Sequence, residues 1–208
     1  MRQPPDSSVT LLLPVFHEEA ANRGLLNGDS ELSVDRAFAL VRDMPYQRAS
    51  SREPEAIIRE WRGTCSGKHY LLKDIFEELG FDARIVMCTH QFTEDNTAHF
   101  PAGLRAQVSQ GPIPDVHTFV RLKSGAGWMD IDATWPRQTG PLGMPVNEAF
   151  LLGVDMAIAC SPSEILEVPD GVAPQAFKER LIEAHCGSQS ERRNRFIEDM
   201  SQWLAQSS

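Results

Sequence analysis

The chain of 208 residues carries a formal charge of −9, with 41% hydrophobic and 24% charged residues. That balance suits one ordinary globular domain and excludes wholesale disorder, while the negative charge argues against nucleic acid or anionic membrane as a partner. No apolar run approaches the roughly 18 residues that a membrane-spanning helix needs, and the four cysteines (65, 88, 160 and 186) lie far apart with no CxxC pair, so neither a disulfide framework nor a zinc ribbon is indicated.

The first 32 residues mix Pro, Gly, Asn and acids with a short apolar stretch and read as an extended or irregular arm. One Arg, two Pro and an Asp ahead of only three leucines make a poor signal peptide, so a cytoplasmic protein is expected. "SVDRAFALVRDM" (33–44) places Ala37, Leu40, Val41 and Met44 at helical spacing, and "ASSREPEAIIREW" (49–61) opens a second helix with Ser and Pro. In "WRGTCSGKHYLLKDIFEELGFDARIV" (61–86), Leu72, Ile75, Phe76 and Leu79 recur at helical spacing from Cys65, and Gly80 is the stop signal. The apolar run Ile85 to Cys88 inside "FDARIVMCTHQF" (81–92) predicts a strand buried on both faces. Residues 93–116, rich in Pro, Gly, Asn, Asp and Thr, read as a long surface loop.

"VHTFVRLK" (116–123) and "WMDIDATW" (128–135) alternate about "SGAG" and predict a hairpin. A turn centred between Gly125 and Ala126 pairs Arg121 with Asp130, an attractive cross-strand pair, and makes His117 and Asp132 diagonal neighbours on one face. Shifting the turn by one residue sends Asp132 to the other face. The tail "ERRNRFIEDMSQWLAQ" (191–206) is an amphipathic helix with Phe196, Met200 and Trp203 on one side, suited to covering the core. The chain thus divides into the arm (1–32), a core (33–140) and a C-terminal extension (141–208) packed on that core.

A thiol becomes a nucleophile when its thiolate is favoured, by the free N–H groups of a helix N-terminus or by a nearby imidazolium. Gly63-Thr64-Cys65-Ser66-Gly67 offers a small-residue turn into a helix, and the Cys65 amide there is a natural oxyanion donor. With His117 as base and Asp132 orienting it, the order Cys, His, Asp makes a nucleophilic site.

At this point "AFALVRDMPYQRASSREPEAIIREWRGTCSGKHYLLKDIFEELGFDARIV" resembles the core of transglutaminase-like thiol enzymes. Their helix and Tyr, then Gly-x-Cys, a helix and an "lGφxaR" strand, are matched by Tyr46, Gly63, Cys65, Leu79, Gly80, Ala83 and Arg84. Their later His and "gW…DpT" ending are matched by His117, Gly127, Trp128, Asp132 and Thr134. The resemblance covers residues 35 to 136. It implies an α+β, papain-like core in which a central helix carrying Cys65 packs on an antiparallel β-sheet with flanking helices. It also implies a triad of Cys65, His117 and Asp132. Two positions depart from the pattern: Thr118 stands where an aromatic often follows the His, and Ala133 where Pro follows the Asp. Animal members need calcium, but this chain has no Asp-rich loop of EF-hand spacing, so no calcium, other metal or cofactor is expected.

The expected activity is attack of the Cys65 thiolate on an amide or ester carbonyl of a peptide, protein or small molecule. Water then resolves the thioester in a hydrolase, or an amine in an acyltransferase. Arylamine-N-acetyltransferase-like acyl transfer from coenzyme A is a rival on "RGTC" and "LGFDARI", although one residue is missing between Gly and Cys. A non-catalytic binding module on the same fold is another, which an intact Cys-His-Asp set disfavours. His69, one helical turn after Cys65, reads as a neighbour tuning the site. Cys88, Cys160 and Cys186 read as core thiols. Cys88, His90 and His99 lack a fourth zinc ligand, and Trp128 and Trp135 read as core aromatics.

Overall fold

The computed structural model describes residues 11–27 and 31–207. In chain order, helices α1 (Leu12–Asn22), α2 (Val34–Asp43), α3 (Pro54–Glu60) and α4 (Cys65–Glu78) precede strand β1 (Ala83–Phe92). Helix α5 (Ala102–Val108), β2 (Ile113–Ser124), β3 (Gly127–Ile131), β4 (Glu164–Glu167), α6 (Pro174–Cys186) and α7 (Ser190–Gln206) follow. The strands form one antiparallel sheet in the order β3-β2-β1-β4.

Helix α4 packs on the sheet because its apolar stripe, Leu71, Leu72, Ile75 and Phe76, is wholly buried against Ile85, Met87, Val116, Val120 and Leu122. The alternate strand residues Val86, Cys88 and Phe119 form a smaller cluster of their own, so β1 and β2 are covered on both faces as the continuous run Ile85–Cys88 predicts. A second cluster joins α5 and α7 to the site region through Tyr46, Phe100, Trp135, Phe196 and Met200.

Three segments differ from the sequence reading. Residues 12–22 form helix α1 where an irregular arm is expected, while residues 1–10 and 28–30 of that arm lie outside the described residues. The α1 N-terminus is capped from afar: both oxygens of Glu78, at the end of α4, accept the amides of Leu12 and Leu13 at 2.7 Å. The stretch 93–116 is not a single loop, since it contains α5 and the start of β2 at Ile113. Trp128 is 38% exposed instead of core, lying under the Arg84 guanidinium at 4.5 Å.

The hairpin register does follow the expectation. Arg121 pairs with Asp130 across β2 and β3, and its Nε donates to Asp130 Oδ1 at 2.8 Å. Among the described residues no helix is long and apolar enough to cross a membrane.

Candidate active site

The turn from α3 into α4 sets the thiol. Trp61 ends α3 at φ 50, a left-handed conformation that costs a non-glycine residue about 1–2 kcal/mol. Its ring is held by stacking on Phe16 of α1 at 5.4 Å, so the unexpected helix α1 braces the turn that delivers Cys65. The small residues of that turn answer to close packing. A Cβ on Gly67 lands 2.5 Å from Ile57 Cδ1, and one on Gly63 lands 3.0 Å from Lys68 Cγ. Cys65 is the first residue of α4, no side chain caps that helix, and the first backbone bond into it runs from the Lys68 amide to the Thr64 carbonyl at 3.1 Å. The Cys65 amide thereby points out of the helix end as an available donor.

The structure brings Cys65, His117 and Asp132 together. His117 sits mid-strand on β2, opposite Cys88 of β1, and its Nε2 lies 2.7 Å from Asp132 Oδ2. Asp132 follows the last residue of β3 and is fully enclosed. Its Oδ1 accepts the Thr134 amide at 3.0 Å and its Oδ2 the Ala159 amide at 2.8 Å. Burial alone raises an acid's pKa, but His117 and these donors outweigh it and hold Asp132 below the carboxylate range. An ionised Asp132 only accepts, so His117 Nε2 carries the hydrogen and the other ring nitrogen serves Cys65.

Burial likewise opposes charge on His117, yet Asp132 and Cys65 hold its pKa well above the ordinary value. The Cys65 thiol responds in turn. Burial would raise it, but the charge of Lys178 and the hydrogen bond and charge of His117 pull it down to about 5. Both shifts favour thiolate and imidazolium over thiol and neutral imidazole.

Two adjacent residues of α4 tie the thiol's helix to the Asp132 strand. His69 Nε2 accepts the Ala133 amide at 2.8 Å, which fixes the tautomer so that Nδ1–H donates to the Cys65 carbonyl at 2.7 Å. Burial pulls its pKa down to about 3. With both nitrogens engaged and no proton to exchange near neutrality, His69 is a brace and no rival base. Lys68 Nζ reaches the carbonyls of Arg42, Met44 and Thr134 at 2.7, 3.2 and 2.9 Å. Asn147 donates to the Asp132 carbonyl at 2.9 Å and closes the cradle from the far side.

Sequence reasoning misses Lys178. It lies on α6, is 3% exposed, and its Nζ donates to Ser66 Oγ at 2.7 Å, Thr118 Oγ1 at 3.0 Å and Cys65 Sγ at 3.4 Å. The unusual Thr118 is thus a seat for this lysine. Of the other thiols, Cys88 is the cross-strand neighbour of His117 but bonds to Cys160 at 3.6 Å. Cys186 is buried with its thiol raised to about 11 by burial. Among the described residues no three His, Cys, Asp or Glu side chains converge as a metal site.

No curated protein matches the chain. The sequence does match the transglutaminase-like superfamily over residues 27–133, half of its 208 residues. That span holds Cys65, His117 and Asp132 and stops short of Lys178. With a mixed α+β fold in which α4 packs on a four-stranded antiparallel sheet, the chain belongs to the transglutaminase-like superfamily.

Proposed function

We propose that the protein is a cysteine-dependent hydrolase of amide or ester bonds, working through a thioester on Cys65, with His117 as general base and acid and Asp132 orienting it. The observation that carries this reading is the thiol at the start of α4, pulled down to about 5 in spite of burial, beside an imidazole pinned by Asp132 at 2.7 Å. A core cysteine kept for packing has its pKa pushed up by burial, as Cys186 does.

In the reaction, Sγ attacks the carbonyl carbon while the π pair moves to oxygen, and the Cys65 amide donates a hydrogen bond to that developing oxyanion. His117 then gives its proton to the departing amine or alkoxide as the C–N or C–O bond breaks. Water, deprotonated by the same imidazole, opens the thioester and frees the thiolate. An amine in place of water makes the same site an acyltransferase. Hydrolysis of peptide, protein or small amide and ester substrates is the reading we prefer. Four free thiols suit a reducing, cytoplasmic setting.

The test is the alkylation rate of each cysteine against pH, mapped by mass spectrometry, in wild type and His117→Ala. The reading expects Cys65 alone to react fast near pH 6 and to lose that reactivity in the variant. Equal rates for Cys65 and Cys186 at that pH, or no effect of His117→Ala, rule it out.

A further inference from the structure

Helix α6 packs on β2 and β1, and its Lys178 side chain reaches the N-terminal end of α4, where it is enclosed with each N–H direction spent: on Ser66, on Thr118 and on the sulfur of Cys65. Burying an ammonium is costly unless an anion accompanies it. Among the described residues no carboxylate lies within ion-pair distance of Lys178. The two hydroxyls are neutral acceptors. Of its three direct partners, only Sγ is able to take a full negative charge.

The surrounding charges leave that role to Lys178. Asp115 on β2 opposes a thiolate but is neutralised by Arg193 of α7, whose Nε donates to it at 2.6 Å. His90 sits 3.4 Å from the other Asp115 oxygen. On the α4 side, Lys68 is committed to three carbonyls, and Tyr70 donates to Gln175 of α6 at 3.4 Å. Tyr46 faces the site from the turn before α3 with its hydroxyl held protonated by burial.

We propose that Lys178 is a fourth catalytic residue, the counter-ion of the Cys65 thiolate at rest and a charged donor to the carbonyl oxygen during attack. This rests on the thiol-enzyme reading above. As the Sγ–C bond forms, the sulfur's charge passes to the carbonyl oxygen two bonds away. Ser66 and Thr118 keep the ammonium in place, and the N–H that served sulfur turns to that oxygen beside the Cys65 amide. On collapse the pair returns to the C=O bond, the leaving group departs with the proton from His117, and Lys178 faces an uncharged thioester sulfur. The site thus gains a second oxyanion donor from outside the span that matches the superfamily.

The experiment uses the full chain, with iodoacetamide as the thiol probe and p-nitrophenyl acetate as an acyl donor independent of the natural substrate. Lys178→Met keeps the bulk of the side chain and removes its charge. It is expected to slow Cys65 alkylation at about pH 4, below the wild-type thiol's value of about 5, by about tenfold or more, since loss of an adjacent opposite charge raises a thiol's pKa by about 1–3. It is also expected to lower the high-pH plateau of the acylation rate by about 10²–10³-fold, the usual loss for an oxyanion donor. Ser66→Ala, which frees the ammonium without removing it, moves both readouts in the same direction by less and serves if Lys178→Met does not fold. Either readout staying within about twofold of wild type in a folded Lys178→Met protein overturns the proposal. Fast wild-type alkylation that falls in His117→Ala but not in Lys178→Met sinks this proposal and leaves the thiol-enzyme reading standing. Slow wild-type alkylation sinks both.

Discussion

Replacing His69 by Gln removes a buried imidazole that must stay neutral, and the consequence is a change in how stability depends on pH. His69 is fully enclosed, and protonation puts a hydrogen on Nε2, where the Ala133 amide already points its own at 2.8 Å. Burial outweighs the attraction of Asp132, and the folded-state pKa falls to about 3 from an ordinary 6.5. Between those values the unfolded chain holds a proton that the folded chain refuses. The stabilisation is therefore complete above pH 6.5 and is lost as pH falls, at about 1.4 kcal/mol per pH unit. From about pH 6.5 to 4.5 that amounts to roughly 2 kcal/mol.

Cys65, at about 5 in the folded state, loses stabilisation as pH falls through this window, and Lys68, at about 7, titrates at its upper end, but both are shared by the two proteins and cancel in their difference. The remaining site groups act outside it. His117 has a raised folded pKa, so both states are protonated below 6.5, and its stabilisation is lost only as pH rises toward the folded value. Asp132 and Asp115 have depressed pKa values, and their stabilisation is lost only as pH falls through the carboxylate range. Urea midpoints for wild type and His69→Gln across about pH 4.5–7.5 make the measurement. The variant starts lower at neutral pH, by about 1–3 kcal/mol for a disrupted buried pair of hydrogen bonds. The gap then narrows by roughly 2 kcal/mol on acidification to about pH 4.5. Two parallel stability curves would refute the reasoning, because groups shared by both proteins cancel in the difference.

Three further outcomes are expected. Asp132→Asn leaves the fold intact but deprives the imidazole of its anion, lowering kcat on an activated ester by about 10⁴-fold with the thiol still present. Glu78→Ala uncaps α1 and costs about 1–2 kcal/mol, read as faster amide exchange confined mainly to residues 12–22. Gly67→Ala forces a methyl to within 2.5 Å of Ile57 Cδ1 and costs about 1–3 kcal/mol by thermal melting, and Ile57→Val in the same chain recovers part of it by clearing that atom.

The triad residues were legible because their chemistry lies in residue identity and in order along the chain. The hairpin register was legible because only one turn position sets Arg121 against Asp130, and that position brings Asp132 within reach of His117. Lys178 was not. In "PQAFKERLIEAHC" it looks like any solvated helix lysine, and its burial depends on Ser66 and Thr118, more than fifty positions upstream. Helix α1 was hidden by Pro14, which reads as a breaker but sits in the first turn, where its missing N–H leaves nothing unpaired. Helix α5 spans 7 residues, too few for a periodic signal among the prolines and glycines around it. Strand β4 has 4 residues, largely exposed, and only its pairing with β1 makes it a strand.

The way the site is braced decides which substitutions report on chemistry. Lys68 and His69, neighbours on α4, bind the two residues after Asp132: Lys68 the Thr134 carbonyl, His69 the Ala133 amide. The thiol's helix and the acid's strand end are thereby joined without His117. Removing the His117 imidazole leaves both walls standing, because Asp132, which it bonds at 2.7 Å, keeps the amides of Thr134 and Ala159. A loss of Cys65 reactivity in His117→Ala therefore measures the imidazole's part in favouring the thiolate. The same loss in a Lys68 or His69 variant measures the joint between the walls, and shows itself first as a fall in melting temperature.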